Sequence, residues 1–226
     1  MQPKIYTLIT GASLGIGKAI AEECAKRNQH LILVALPGKD LEDTVAYLKT
    51  KYNVEIHHVG IDLTQNGAAE EVLAFSQTNQ LPVNMLINNA GFGSSGAFDT
   101  AQSAFYEKMI QLNVLNTVVL TRLFIPELQK HQSAYILNTG SAAAFFDMPY
   151  KLVYSATKSF VYSFSRALRM ELRNDTSISV SVICPAGVTT NEEVRKRTQQ
   201  MGWIAMKTSL EPEFVAKQAI NGMLAG

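Results

Sequence analysis

Tyr154 and Lys158 are the residues whose types and spacing lend themselves most directly to chemistry. They stand four apart in a stretch of helical periodicity, so their side chains share one face a single turn apart. A tyrosine hydroxyl is a poor base near neutrality, with a reference pKa of about 10. A neighbouring ammonium favours the phenolate and brings the hydroxyl toward working pH. Such a pair gives or takes a proton at an oxygen on which charge develops, as when a carbonyl becomes an alcohol. A second chemical stretch is Thr10-Gly11-Ala12-Ser13-Leu14-Gly15-Ile16-Gly17. Glycines in such a turn let the backbone approach a pyrophosphate, which rests on the N-terminus of the helix that follows. The spacing is G-x-x-x-G-x-G rather than the G-x-G-x-x-G of the standard dinucleotide fingerprint. A tightly packed strand–helix corner would also ask for glycine.

These residues need elements to carry them, and two kinds alternate along the chain. Short runs rich in Ile, Leu and Val predict buried strands at Ile5–Ile9, Leu31–Ala35, Val54–Val59, Met85–Ile87, Ala134–Asn138 and Ser177–Ile183. Between them, apolar residues return at three- and four-residue steps over Ile16–Asn28, Asp40–Tyr52, Ala68–Thr78, Gln102–Lys130 and Tyr154–Arg173. A last helix is expected from Glu211 to Leu224. Alternation of this kind means βαβ units, hence an α/β fold with a doubly wound parallel sheet. With no repeat, low-complexity tract or linker, residues 1–226 read as one Rossmann-type domain. The stretch Thr190–Leu210 breaks the rhythm. Its charges suit a solvated helical face, and Met201, Trp203, Ile204 and Met206 suit an apolar lid over a ligand, with plain packing as the alternative.

The composition excludes several classes of function. Twenty Lys and Arg against nineteen Asp and Glu leave a formal charge of +1, which gives no electrostatic reason to expect nucleic acid or an anionic membrane as partner. Cys24 and Cys184 are read as free thiols rather than a disulfide. The first apolar run is too short for a signal peptide, and no segment reads as a membrane span, so a cytoplasmic setting is expected.

Further segments fall in a telling order. Asn88-Asn89-Ala90-Gly91 follows the fourth strand, Ser141 follows the fifth, Tyr154-Ser155-Ala156-Thr157-Lys158 opens the next helix, and Pro185-Ala186-Gly187-Val188-Thr189 follows the sixth. With Thr10–Gly17 and Asn113 in the long middle helix, the chain resembles the short-chain dehydrogenase/reductase family, closely from residue 4 to about 190. In character it resembles the 3-oxoacyl and hydroxysteroid reductase-like branch. The resemblance implies an NAD(P)-dependent oxidoreductase in which Tyr154 is acid in reduction and base in oxidation. Lys158 would tune Tyr154 and hold the nicotinamide ribose, Ser141 would donate to the substrate oxygen, and Asn113 would place a water in a proton relay. For the cofactor it implies Gly11, Ser13, Leu14, Gly15, Ile16 and Gly17 around the pyrophosphate, and Asp62 with Leu63 at the adenine. It also implies Asn89, Ala90 and Gly91 on the cofactor-side wall, and Pro185, Gly187, Val188 and Thr189 beside the nicotinamide.

Two departures from the family pattern bear on the reading. The second strand ends Val34-Ala35-Leu36-Pro37-Gly38-Lys39, without the acid that meets the ribose hydroxyl of NAD or the arginine that meets the phosphate of NADP. Lys39 is the cation in reach, so NADP is favoured, with NAD as the alternative. No strand text follows the last helix, where family members usually add one, so the final edge strand is expected to be missing, either because the sequence is a piece of a longer chain or because the sixth strand keeps an unusual unpaired edge. Phe145, Phe146, Met148, Pro149 and Tyr150 lie where family members line the substrate pocket, which suggests an apolar carbonyl or secondary alcohol, with ordinary packing as the alternative. Family members usually associate through the two long helices, so a homodimer or homotetramer is expected. The competing function is a cofactor-binding or sensor protein that uses the fold without turnover.

Overall fold

A computed structural model describes residues 4–174, 177–189 and 209–225. Its elements run β1 (Tyr6–Thr10), α1 (Gly15–Lys26), β2 (His30–Ala35), α2 (Lys39–Lys51), β3 (Ile56–Gly60), α3 (Ala68–Thr78) and β4 (Val83–Asn88). There follow α4 (Ser103–Ile110), α5 (Asn116–Leu128), β5 (Ala134–Thr139), α6 (Leu152–Glu171), β6 (Ile178–Ile183) and α7 (Pro212–Ala225). All six strands pair in parallel in the order β3-β2-β1-β4-β5-β6. The winding direction reverses between β1 and β4, and a crevice opens there beyond the strands' C-terminal ends. Both sequence motifs lie on that edge.

A parallel sheet needs cover on both faces, and the strands are written for it. Side chains alternate across a strand, so Ile9, Leu31 and Leu33 pack with Ile20, Leu48 and Ile220 beneath α1, α2 and α7, while Leu8 and Ile32 pack with Val72, Leu120 and Phe124 beneath α3 and α5. Every residue of β1, Tyr-Thr-Leu-Ile-Thr, is buried, which is why it carries no charged residue on either face.

Three findings refine the expected elements. The middle helix is interrupted by a π-helical turn at Gln111–Leu115, where the Asn116 N–H bonds to Gln111 O instead of a carbonyl four residues back. An inserted residue of this kind leaves the apolar spacing almost unchanged, so periodicity alone hides it. The continuous helical run Ser103–Leu128 is, by length and composition, apolar enough to cross a membrane. Its inner face packs on β4 and α3, which gives that apolarity a use within the fold. Among the described residues β6 pairs with β5 alone. Ala134 N–H and Gly140 N–H bond to Ser177 O and Ile183 O, so the odd-numbered residues of β6 face β5 and the even ones face the open edge. Arg169 Nη1 meets one of those edge carbonyls, Val180 O, at 2.8 Å. Of the expected lid, residues 190–208 lie outside the described residues. Leu210 forms an isolated parallel bridge with Val188.

Candidate active site

The helix α6 carries Tyr154 and Lys158, and its buried stripe of Ser155, Thr157, Lys158, Val161 and Ser165 is unusually polar for a face turned to a sheet. Each of these polar groups is used. Ser165 Oγ accepts from Asn138 Nδ2 at 2.9 Å, Asn138 Oδ1 accepts from Asn88 Nδ2 at 2.9 Å, and Asn88 Nδ2 also reaches Thr121 Oγ1 at 3.0 Å. This buried chain ties α6 to β5, β4 and α5 just below the catalytic edge. Asn88 Oδ1 has no described partner, but the Asn88 and Asn138 amide donors are paired, and a shifted helix would strand them in low dielectric.

Lys158 is 5% exposed, and its Nζ donates to the Thr139 carbonyl oxygen at 2.8 Å. Burial pushes its pKa down to about 8, with the Cys184 sulfur opposing that shift. The Nζ lies 5.9 Å from the centroid of the Tyr154 ring, so the ammonium and the phenol share one space, as the four-residue spacing predicts. The other side of the Tyr154 ring is closed by backbone. A Cβ on Gly93 would lie 2.7 Å from Tyr154 Cδ2, so the loop after β4 can pass the ring only as glycine. Gly96 N–H bonds to Tyr150 O at 2.9 Å and ties the same loop to the start of α6.

Ser141 caps the short 3-10 turn Ala142–Phe145, its Oγ accepting from Ala143 N–H at 3.1 Å. The cap occupies a lone pair, and no described residue takes the hydroxyl proton, which leaves a donor for a substrate oxygen. Ala142 N–H bonds to Pro185 O at 2.9 Å, so the segments after β5 and β6 are held together at the site. Asn113 sits inside the π-turn and is 1% exposed. Its Oδ1 accepts from Phe92 N–H at 3.0 Å and its Nδ2 donates to Phe92 O at 2.9 Å. The structure thus brings Asn113 and Lys158 together at Gly91, whose Cβ would meet Asn113 Oδ1 at 2.8 Å and Lys158 Nζ at 3.5 Å, and the Tyr154 ring lies 5.9 Å from that Nζ.

The glycine turn has the form of an anion cradle. Gly11 and Gly15 hold φ of 63° and 55°, a left-handed backbone that L side chains resist. A Cβ on Gly17 would collide with the Gly11 carbonyl oxygen, so α1 can start against the turn only with glycine there. The helix begins at Leu14 with no side-chain cap and no acid in its first turn, whereas α2 and α3 open with Asp40 and Glu42, and with Glu70 and Glu71. An uncapped, acid-free N-terminus leaves its N–H groups and dipole for an anion. Ser13 O accepts from Thr44 Oγ1 at 2.8 Å, while the Leu14 side chain stays exposed and Ile16 packs on the core.

Asn89 holds the turn to the catalytic side. Its Nδ2 donates to Thr10 O at 3.1 Å and Gly11 O at 3.2 Å, and its Oδ1 accepts from Thr139 Oγ1 at 3.3 Å. Ala90 N–H bonds to Thr10 Oγ1 at 3.0 Å. Asp62 behaves as a local turn residue. Thr64 N–H, Thr64 Oγ1 and Gln65 Nε2 all donate to its carboxylate and hold its pKa below the usual range. Those bonds leave it acceptor capacity, and Leu63 beside it is buried. Lys39 is the exposed first residue of α2, beyond an exposed Leu36. In the segment after β6, Thr189 N–H bonds to Leu210 O and Leu210 N–H to Gly187 O, at 3.2 and 2.8 Å.

The aromatic stretch does line a groove. Phe145, Phe146, Met148, Pro149 and Tyr150 line a groove of about 770 Å³ with Phe98, Leu152, Ser155, Ala156 and Ser159, and neither Ser141, Tyr154 nor Lys158 is among its walls. Ser155 and Ser159 follow Tyr154 and Lys158 by one position each, about 100° around the helix, so the groove opens on the neighbouring face of α6. Residue-by-residue reading missed Thr10, Thr139, Gly93 and Thr157. Their contributions are backbone contacts or single hydroxyls, for which residue type gives no signal.

Residues 6–201 match the family description "short chain dehydrogenase". The chain is 31% identical over 207 residues to very-long-chain 3-oxoacyl-CoA reductase-A of Danio rerio, covering 88% of this chain and 63% of that one. It is 30% identical over 219 residues to estradiol 17-beta-dehydrogenase 11 of Mus musculus, covering 96% and 71%. It therefore spans less than two thirds of the first of these relatives. Among solved structures, a short-chain dehydrogenase from Sphingobium yanoikuyae in complex with NADPH superposes with a TM-score of 0.84 at 30% identity, covering 96% of this chain and 84% of that one.

Proposed function

Because the chain belongs to the short-chain dehydrogenase family, we propose that it is a nicotinamide-dependent oxidoreductase interconverting a carbonyl and a secondary alcohol, with Tyr154 as the proton-transfer group. The observation that carries this reading is the convergence of Tyr154, buried Lys158, the free Ser141 hydroxyl and buried Asn113 beside an uncapped glycine turn at the sheet's switch point. A nicotinamide cofactor bound there would supply the hydride. Gly11–Gly17 would hold its pyrophosphate, Asn89–Gly91 its ribose-side wall, Asp62 and Leu63 its adenine, and Pro185, Gly187, Val188 and Thr189 its nicotinamide. Ser141 orients the carbonyl by donating to its oxygen, and Tyr154 delivers the proton while Lys158 holds the phenolate that remains.

NADP suits the end of β2 better than NAD. No carboxylate stands there to bond a ribose hydroxyl or repel a phosphate, and Lys39 is the cation at the mouth of α2. The family neighbour from Sphingobium yanoikuyae carries NADPH. The substrate we propose is an apolar carbonyl, in keeping with relatives named for 3-oxoacyl-CoA and estradiol. We further propose a symmetric oligomer, since α4 and α6 pack together and leave Ile110, Leu152 and Phe160 exposed beside the aromatic groove.

The test is a panel of 3-oxoacyl thioesters, ketosteroids and small ketones with NADPH and with NADH, following loss of reduced nicotinamide absorbance. Turnover of at least one apolar ketone is expected, with the lower KM for NADPH. Tyr154→Phe should cut kcat by roughly 10²–10⁴ while cofactor affinity stays within about twofold. Tight cofactor binding with no turnover of any carbonyl would give the site to a sensor instead.

A further inference from the structure

The side chain of Asn113 is committed on every polar group. Its Oδ1 takes Phe92 N–H, one Nδ2 proton goes to Phe92 O, and the other goes to Thr157 Oγ1 at 3.1 Å. Thr157, one residue before Lys158 and 3% exposed, passes its own proton to the Tyr154 carbonyl oxygen at 2.7 Å. A hydroxyl has one proton to give, so toward Asn113 this one can only accept, and the direction of both bonds is fixed. The hydroxyl thus joins three segments: the loop after β4 through Phe92, the π-turn through Asn113, and the first turn of α6 through Tyr154.

We propose that Thr157 is a positioning residue that keeps the Asn113 π-turn and the Tyr154 turn of α6 in register. It touches neither substrate nor cofactor and acts through these two residues. The proposal rests on Tyr154 being the proton-transfer group. A β-branched side chain at this point of α6 is stiff about χ1, so the hydroxyl is held where both partners meet it. Valine would keep the volume and stiffness but strand one buried Asn113 N–H; serine would keep the hydroxyl and lose only a methyl group.

The experiment compares wild type, Thr157→Val, Thr157→Ser and Tyr154→Phe in the full chain. The first readout is hydrogen exchange of the Asn113 side-chain amide by NMR, which needs no turnover. The second is kcat, KM and the pH profile for NADPH with the best ketone of the panel. Thr157→Val is expected to speed Asn113 amide exchange and to lower kcat by about tenfold, the equivalent of one stranded buried donor. KM for NADPH should stay within about twofold, and Thr157→Ser should restore both readouts. Unchanged Asn113 exchange in Thr157→Val overturns the proposal, as does equal loss in the valine and serine variants. A Tyr154→Phe variant with wild-type turnover overturns the reading of the site instead, and the exchange comparison still decides whether Thr157 holds Asn113.

Discussion

Lys158 combines two demands that conflict: in the proposed reaction it would be charged to stabilise a phenolate, and it is buried. The fold meets them halfway, giving the ammonium one carbonyl at 2.8 Å and a pKa of about 8 against an ordinary 10.5. A lysine whose folded value lies below its unfolded value binds its proton less well in the fold, so the fold is penalised below pH 8 and relieved as pH rises toward 10.5. Compared with Lys158→Met, whose stability has no such component, the wild type without cofactor should gain unfolding free energy by about 3 kcal/mol between pH 7 and 11. Urea titrations at several pH values measure this, and a flat difference would remove the burial argument. Gly93 makes a second demand at this scale. Gly93→Ala puts a Cβ into the Tyr154 ring, so kcat should fall at least tenfold while unfolding free energy changes by only about 1 kcal/mol, because the loop rather than the core must give. Steady-state kinetics beside thermal unfolding separate the two effects. Tyr154 and Lys158 were legible from their spacing taken together with the segments that surround them in order. The contacts that place them were not, since Thr139 acts through its carbonyl and Gly93 through lacking a side chain.

Among the elements, α1 and α2 flank the glycine turn and are clamped by one carboxylate. Glu22 Oε1 accepts from Lys51 Nζ at 2.8 Å, Tyr52 OH at 2.8 Å and Tyr47 OH at 3.0 Å. Partial burial pushes its pKa up, but these donors outweigh burial and hold it at about 2 against an ordinary 4.5. A carboxylate depressed in the fold contributes stability above its unfolded value and loses it as pH falls through its folded one. Glu22→Gln should therefore cost about 1 kcal/mol at neutral pH, and the difference should fade between pH 4.5 and 2 in acid unfolding curves. The elements themselves were largely readable. Predicted strands and helices match the observed ones to within two residues at most ends, because buried parallel strands and amphipathic helices have different periods. The π-turn at Gln111–Leu115 was the exception, and it is the part of the middle helix that presents Asn113.

Across the whole molecule, the exposed residues Phe98, Phe145, Phe146, Tyr150, Leu152 and Phe160 cluster about α6 and the groove of about 770 Å³ beside it. The aromatic residues that sequence position suggested as substrate contacts thus line a groove whose walls do not include Tyr154, and their exposure underlies the association proposed above. An exposed apolar patch of this kind is what the proposed two-fold pairing would cover. If the proposed oligomer forms, Phe160→Glu should leave a monomer in light scattering without altering the far-ultraviolet dichroism, and a wild type already monomeric at tens of micromolar would exclude it. The sequence by itself determined the doubly wound sheet, the glycine turn ahead of α1, and the Tyr154–Lys158 pair on one helical face. Each of these is a local pattern, whether a period, a backbone requirement or a four-residue spacing. Only the tertiary structure decided that Thr139 and Gly93 frame the catalytic pair, that Thr157 joins Asn113 to Tyr154, and that the Phe145–Tyr150 stretch opens on the neighbouring face. Those relations join residues far apart in the chain, and they exist only once the strands have set the distances between them.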